Sequence, residues 1–306
     1  YSIYDMKEII LKNYGLHVIG EIKLSSHVFK LKCEEGYYVA KITSQKSLQN
    51  MYDSIETLNL SCFVHIIPND HHEYLTSYQQ QYLYLMPFIE SGSQHLKEMK
   101  IQFYFETLAY LHGHSFYDMK VNQQYFHTLE NDVLKVIQER MAYYEQMITN
   151  YENELYRSPS QWLLVMNYYR IYDALCLARQ YLSQYMNCVQ NCRSIRICIT
   201  YKNFDYQHIS LKSKCLISLD YLEMDLPIYD IFDMYQKIPD ILFDLDCLSQ
   251  SYLKKFELRE EEKLLLCCLM NIVPIIQLEH DEIDNIIKLS RLLYYLDSIH
   301  DFITQL

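Results

Sequence analysis

Apolar residues at Ile3, Met6, Ile10 and Tyr14 recur at the spacing of one helix face, and Gly15 follows where such a helix would end. The period then changes to two. Val18 to Leu24, Val28 to Cys33 and Tyr37 to Thr43 read as three strands, the last two joined by a turn at Glu34-Glu35-Gly36. Ser47 to Leu60 is predicted as an amphipathic helix with Leu48, Met51, Ile55 and Leu58 on one face. Strands at Val64 to Ile67 and Tyr74 to Tyr78 follow, around a solvated His71-His72 turn. Tyr82 to Glu90 reads as a buried strand running into an irregular segment at Pro87. Residues 1–90 are therefore expected to form a helix plus a five-stranded antiparallel sheet, with a boundary at Glu90 to Ser93.

From Leu96 the pattern is helical. Leu129 to Tyr156 reads as a long helix rich in Tyr and Glu, and Ser158-Pro159-Ser160 opens another that runs to about Asn187. Between Arg196 and Asp233 the helical period is interrupted by two short apolar runs around a polar turn, giving strand, loop, strand, loop and helix. Helices return at Leu253 to Gln277, with Glu260, Glu261 and Glu262 in a first turn, and at Asp281 to Gln305, with Ile283, Ile286, Ile287, Leu293 and Leu296 as the apolar face. The fold class is α+β, with residues 91–306 as a larger helical part.

Composition narrows the functions available. The 306 residues carry 27 Lys and Arg against 39 Asp and Glu, a net charge of −12, which argues against nucleic-acid or anionic-membrane partners. No apolar run approaches the ~18 residues of a membrane span, and no basic-then-apolar signal pattern opens the chain, so cytoplasmic synthesis is expected. The ten cysteines lie mostly in apolar runs, where a reduced thiol acts as a small hydrophobe. Cys188 and Cys192 have ligand-like spacing without a second pair, so no metal site is expected. Thirty-one tyrosines are the outlier. They fit either codon bias or a protein destined for an oxidatively cross-linked shell.

Residues 199–231 resemble the catalytic segment of the aminoglycoside phosphotransferase and choline kinase branch of the protein-kinase-like superfamily. That segment reads His-Gly-Asp, four residues, Asn, then Ile-Asp and later Tyr-Asp-Leu. Here the pattern falls on Tyr201-Lys202-Asn203, His208, Ile217-Ser218 and Tyr229-Asp230-Ile231. In the family the first Asp takes the proton of the substrate hydroxyl, while the Asn and the second Asp hold magnesium. Asn203, His208 and Ser218 stand in those three places, and an amide is no base, nor are imidazole and hydroxyl natural magnesium ligands. A register shifted by two would use Asp205 and Asp220 instead, and a plain hairpin with a solvated turn is the non-functional reading. Tyr37-Tyr38-Val39-Ala40-Lys41-Ile42 resembles the strand whose Lys contacts the phosphates, with Glu56 or Asp53 as its acidic partner, although the preceding loop Leu24-Ser25-Ser26-His27 has no glycine to form a phosphate lid. Leu108-Ala109-Tyr110-Leu111-His112 resembles a helix end common in the superfamily, which implies a structural His112. The resemblance also implies that Asp230 braces the loop.

The paired helices at about 129–187 look like the helical insertion of the CotS/YutH group of spore-coat-associated kinase-like proteins. The expectation is a two-lobed kinase-like protein without phosphotransfer, made in the cytoplasm and deposited on a spore coat, with other coat proteins as partners. Weak ATP binding through Lys41 and a hinge at Met86, Phe88 and Ile89 is compatible with it. The alternatives are an active small-molecule kinase using Asp205 and Asp220, and a pseudokinase that senses nucleotide without transfer.

Overall fold

The computed structural model of the chain describes residues 3–90, 92 and 96–306, and of Ile3 and Tyr4 the backbone alone. The expected place of Ile3 on a helix face, and Ser91 and Ser93 in the expected boundary, lie outside the described residues. Two compact units make up the chain. One comprises residues up to Thr107 together with Asn203–Glu223, the other Leu108–Lys202 and Met224–Leu306.

In the first unit, α1 (Ile3–Tyr14) ends at Gly15, whose φ of 68° suits glycine. Strands β1 (Val18–Lys23), β2 (Val28–Cys33) and β3 (Gly36–Thr43), helix α2 (Leu48–Thr57), and strands β4 (Thr76–Tyr78) and β5 (Gln81–Pro87) follow. The strands form an antiparallel sheet in the order β1-β2-β3-β5-β4. Met6 and Ile10 of α1 pack on Phe29, Leu31, Ala40, Ile42, Leu83 and Leu85, one face of that sheet. On α2 the buried residues are Leu48, Tyr52 and Ile55 rather than the predicted Met51 and Leu58, because the helix ends before the exposed Leu58 and turns Tyr52 inward against Tyr84. Val64 to Ile67 is not a strand. It carries one isolated bridge instead, Ile67 to Leu85, and another joins the preceding Phe63 to Leu216. The turn at His71-His72 is held by the Asn69 side chain, which accepts from the His71 and Glu73 N–H groups.

Helix α3 (Lys97–Ser115) opens in the first unit and ends in the second. The second unit continues with β6 (Tyr117–Lys120), α4 (Gln123–Glu152), α5 (Pro159–Cys188) and β7 (Ser194–Thr200). Neither β6 nor the early start of α4 was legible in the periodicity. Helix α4 buries Phe126, Leu129, Val133, Ile137, Met141, Tyr144 and Ile148, one stripe at three- and four-residue steps. Helix α5 begins with a capping box between Ser158 and Gln161 and has Pro159 in its first turn.

Residues 203–223 then form a short 3₁₀ turn (Tyr206–His208) and a hairpin of β8 (Ile209–Ser210) and β9 (Cys215–Leu216). This segment belongs to the first unit for a bonding reason. Leu216 exchanges backbone hydrogen bonds with Cys62 and Val64, at 2.8 and 2.9 Å, and the Lys100 amine donates to the Tyr206 carbonyl at 2.6 Å. Compactness thus draws the line differently from a single cut near residue 90.

The chain returns to the second unit through β10 (Glu223–Asp225), which lies beside β7, and continues as α6 (Ile228–Tyr235), a single turn α7 (Leu245–Cys247), α8 (Glu260–Met270) and α9 (Glu282–Ile303). The predicted helix from Leu253 to Gln277 is thus cut down to α8, which keeps Glu260, Glu261 and Glu262 in its first turn. Pro274 interrupts the apolar run beyond it. The carbonyls of Val273, Pro274 and Ile276 are satisfied by Arg140, Tyr144 and Tyr143 of α4 instead of by a helical ladder. On α9 the buried face is Leu289, Leu292, Leu293, Tyr295, Ile299 and Phe302, while Ile283 is 72% exposed and Ile287 is also exposed. Among the described residues no helix is long and apolar enough to cross a membrane.

Candidate functional site

The alternation of side chains along β3 and β5 creates the site. Ala40 and Ile42 of β3, with Leu83 and Leu85 of β5, point to the α1 core. Val39, Lys41, Tyr84 and Met86 therefore share the opposite face, paired across the ladder as Val39 with Met86 and Lys41 with Tyr84. That face meets the loop 203–220 within the same unit.

A closed polar network forms there. The Lys41 Nζ donates to the Ser218 hydroxyl at 3.1 Å and to Asp220 Oδ2 at 2.8 Å. Ser218 also accepts from the Asn203 side-chain amide at 3.0 Å and donates to Asp220 Oδ2 at 2.9 Å. Its one donor and two acceptor positions are thereby filled. The other carboxylate oxygen of Asp220 accepts from the buried Tyr84 hydroxyl. Burial works to raise the Asp220 pKa, but the Lys41 charge and the hydrogen bonds from Lys41, Tyr84 and Ser218 outweigh it and hold the carboxyl below its ordinary value. Burial, then the nearby Tyr52 and Asp220, push the Tyr84 phenol well above its ordinary pKa, so it stays a donor.

Beside the network lies a cleft of about 770 Å³, lined by Val28, Val39, Met86, Phe88, Ile89 and Ile217 on its apolar walls and by Lys41, Glu90, Gln207, His208 and Ser218 among its polar groups. Its size is that of a small-molecule site. His208 is oriented by its Nδ1–H, which donates to the Asn203 carbonyl at 3.0 Å. The loop at the cleft's edge is a tight turn. The N–H groups of Leu24 and Ser25 both bond the Val28 carbonyl, at 2.9 and 3.1 Å, and the His27 N–H reaches the Ser25 hydroxyl.

Within the second unit, the residues just before Asn203 are held by Asp230. Its carboxylate has no solvent exposure and accepts from the N–H groups of Tyr201 and Lys202, at 2.9 and 2.6 Å, and from His112 Nε2 at 2.8 Å. The Tyr252 hydroxyl, 2.7 Å from His112 Nδ1, completes the ring's bonding. Lys202 takes a φ of 46°, in the left-handed region where the family pattern has glycine, and its amine pairs with Asp225.

No family model matches the chain, and no curated protein is recognisably similar to it in sequence. Solved structures similar to it include an aminoglycoside phosphotransferase from Alicyclobacillus acidocaldarius, with a TM-score of 0.66 at 10% identity, covering 94% of this chain and 93% of that one. A spectinomycin phosphotransferase, solved as an AMP-bound complex, has a TM-score of 0.58 at 10% identity and covers 99% and 94%. The fold is kinase-like, of the aminoglycoside phosphotransferase type. At such identities the likeness is one of fold.

On that kinase-like fold the expected site residues separate into three groups. Lys41, Asn203 and Ser218 meet directly, and His208, Met86, Phe88 and Ile89 line the same cleft as Lys41 and Ser218. Asp220 joins the network as the partner of Lys41, a place expected of Glu56 or Asp53. Those two serve elsewhere: Glu56 faces His65, and Asp53 accepts from Gln49. Asp205 is exposed and caps its own turn, accepting from the Gln207 N–H at 2.7 Å. Sequence reasoning missed Tyr84, Val28, Val39, Ile217 and the buried Lys100. The period of two through Lys41 and Met86 already placed Val39 and Tyr84 on this face. Nothing local marked Lys100, whose pKa burial lowers against the opposing charge of Asp205.

A magnesium ion, which the fold family implies, does not suit the donors here. Its octahedral shell takes carboxylate and phosphate oxygens. The one carboxylate of the network, Asp220, is bonded at both oxygens, and the Ser218 hydroxyl is saturated. Among the described residues no three His, Cys, Asp or Glu side chains gather as a metal site.

Proposed function

We propose that this chain is a kinase-fold protein that does not transfer phosphate and that acts as a structural or assembly component of a bacterial spore coat. The observation carrying the first half is the closed network of Lys41, Asn203, Ser218, Asp220 and Tyr84. It puts an amide where a general base is needed and ties up the groups that would hold metal and phosphate. Loss of a general base costs ~10²–10⁴ in rate before the metal is considered. The purified protein with ATP, magnesium and hydroxylated acceptors such as aminoglycosides and choline is expected to release and transfer no phosphate above the uncatalysed level. Magnesium-dependent turnover that Asp220→Asn abolishes would establish the small-molecule kinase reading instead.

The coat assignment is supported by the likeness of α4 and α5 to the insertion of spore-coat kinase-like proteins. It also draws on surface tyrosines open to cross-linking, such as Tyr156, 93% exposed, and Tyr169, 63% exposed. Its partners are other coat proteins. Immunodetection in fractionated spores is expected to find the protein in the coat fraction, and its confinement to vegetative cytosol would refute this role.

A further inference from the structure

Two helices of the second unit leave apolar stripes on their outer sides. Helix α5 turns Leu164, Ile171 and Ala178 inward, while Trp162, Met166 and Tyr169 recur at four- and three-residue steps on its opposite side. On α9 the same holds for Ile283, Ile287 and Tyr294, opposite the buried Leu289 and Leu292. The helices lie side by side and run the same way. In their first turns the Ser160 hydroxyl donates to Glu282 at 2.9 Å, and further along Arg170 donates to the Leu293 carbonyl at 2.9 Å and pairs with Asp297. Arg170 thus marks one flank of the α5 stripe and Asp297 the facing flank of the α9 stripe, so both stripes look out from one surface.

Exposure of these six side chains runs from 46% for Trp162 to 72% for Ile283. Together they present roughly 800 Å² to water, more than the ~300–600 Å² of the largest apolar patch on an ordinary monomer and comparable to one partner's share of a standard interface. Trp, Tyr and Met are also the residues enriched at the centre of interfaces, where charges are depleted. The charges around the patch are answered within the chain. Arg170 pairs with Asp297 and Lys288 with Asp284 at 2.9 Å, and the Arg157 guanidinium lies over the Trp162 ring at 4.7 Å while donating to the Tyr151 and Glu152 carbonyls. A strongly charged partner finds no complement there. A second copy does, since a neutral apolar face matches itself, and it is the face on which two chains of net charge −12 repel least.

From these features we infer that the chain forms a two-fold dimer through the outer faces of α5 and α9, each copy contributing the same stripes. Dimerisation requires neither the absence of phosphotransfer nor a place in the coat. Pairing covers Tyr169 and leaves Tyr156, in the link before α5, outside the paired helix faces.

Sedimentation equilibrium of the full chain is expected to give twice the 37.0 kDa of one copy, with a dissociation constant of about 1 µM or tighter. Trp162 is the one tryptophan in the chain, so its emission reports this face alone and is expected to shift to shorter wavelength over the same concentrations. Met166→Glu, at an exposed helix position, brings a charge into the contact from both copies and is expected to weaken the dimer by about tenfold or more. Ile287→Glu tests the α9 stripe in the same way. A monomer at every concentration overturns the proposal and leaves the patch to a different protein. A dimer whose Trp162 emission is indifferent to concentration, and which both substitutions leave intact, overturns it as well, because its contact then lies elsewhere.

Discussion

Replacing Asp230 with Ala is expected to lower the stability of the protein by about 3–5 kcal/mol, the cost of removing a fully buried acceptor from several buried donors. Three donors lose their acceptor at once: the N–H groups of Tyr201 and Lys202 and the Nε2–H of His112. His112 and Asp230 are both without solvent exposure, so water cannot take over, and each orphaned donor costs ~1–3 kcal/mol. Lys202 is held in a left-handed conformation partly by the same bonds, so the backbone ahead of Asn203 should loosen as well. Tyr252→Phe removes only the hydroxyl beside His112 Nδ1 and should cost about 1 kcal/mol. Denaturant unfolding of the two variants checks the ranking. A loss below about 1 kcal/mol for Asp230→Ala would mean that this carboxylate does not brace the loop.

Lys41→Met is expected to destabilise by about 2 kcal/mol, less than for a fully buried pair because the Asp220 side chain is 35% open to water. The loss comes mainly from the unmatched Asp220 carboxylate, so the double variant with Asp220→Asn should regain about half of it. The pH dependence follows from the depressed Asp220 value. A carboxyl whose folded pKa lies below its unfolded value of ~3.9 contributes fully above the unfolded value. That contribution disappears as pH falls through the folded value. The stability gap between wild type and Asp220→Asn should therefore be constant above about pH 5 and close progressively below about pH 4. A gap that shrinks on going from acid to neutral pH would contradict the assignment.

Several elements were legible in the chain because their signals are local. Gly15 and Gly36 mark a helix end and a hairpin turn, and both take positive φ. Ser158-Pro159 marks the start of α5 by capping chemistry, and Asp230 was placed by its neighbours Tyr229 and Ile231. Strand β6 was not legible, since Tyr117 to Lys120 are mostly exposed and carry no alternation. The closing helix misled for the opposite reason. Ile283 and Ile287 have helical spacing but lie on the open face, and only the neighbouring helices decide which stripe of an apolar helix is buried. The partner of Lys41 lay 179 residues away in sequence, beyond any local pattern. Once Tyr52 rather than an acid turned inward from α2, Asp220 was the carboxylate that compensated the buried amine.

The central claim is that the groups around Lys41 no longer hold a metal–nucleotide complex. Its most direct test is electron paramagnetic resonance of Mn²⁺, a substitute for magnesium, titrated with the protein in the presence and absence of ATP. The account predicts that the protein leaves the signals of free and ATP-bound Mn²⁺ unchanged, because Ser218 is saturated and both oxygens of Asp220 are already engaged. A stoichiometric ternary signal that requires both ATP and protein, and that Asp220→Asn eliminates, would contradict it.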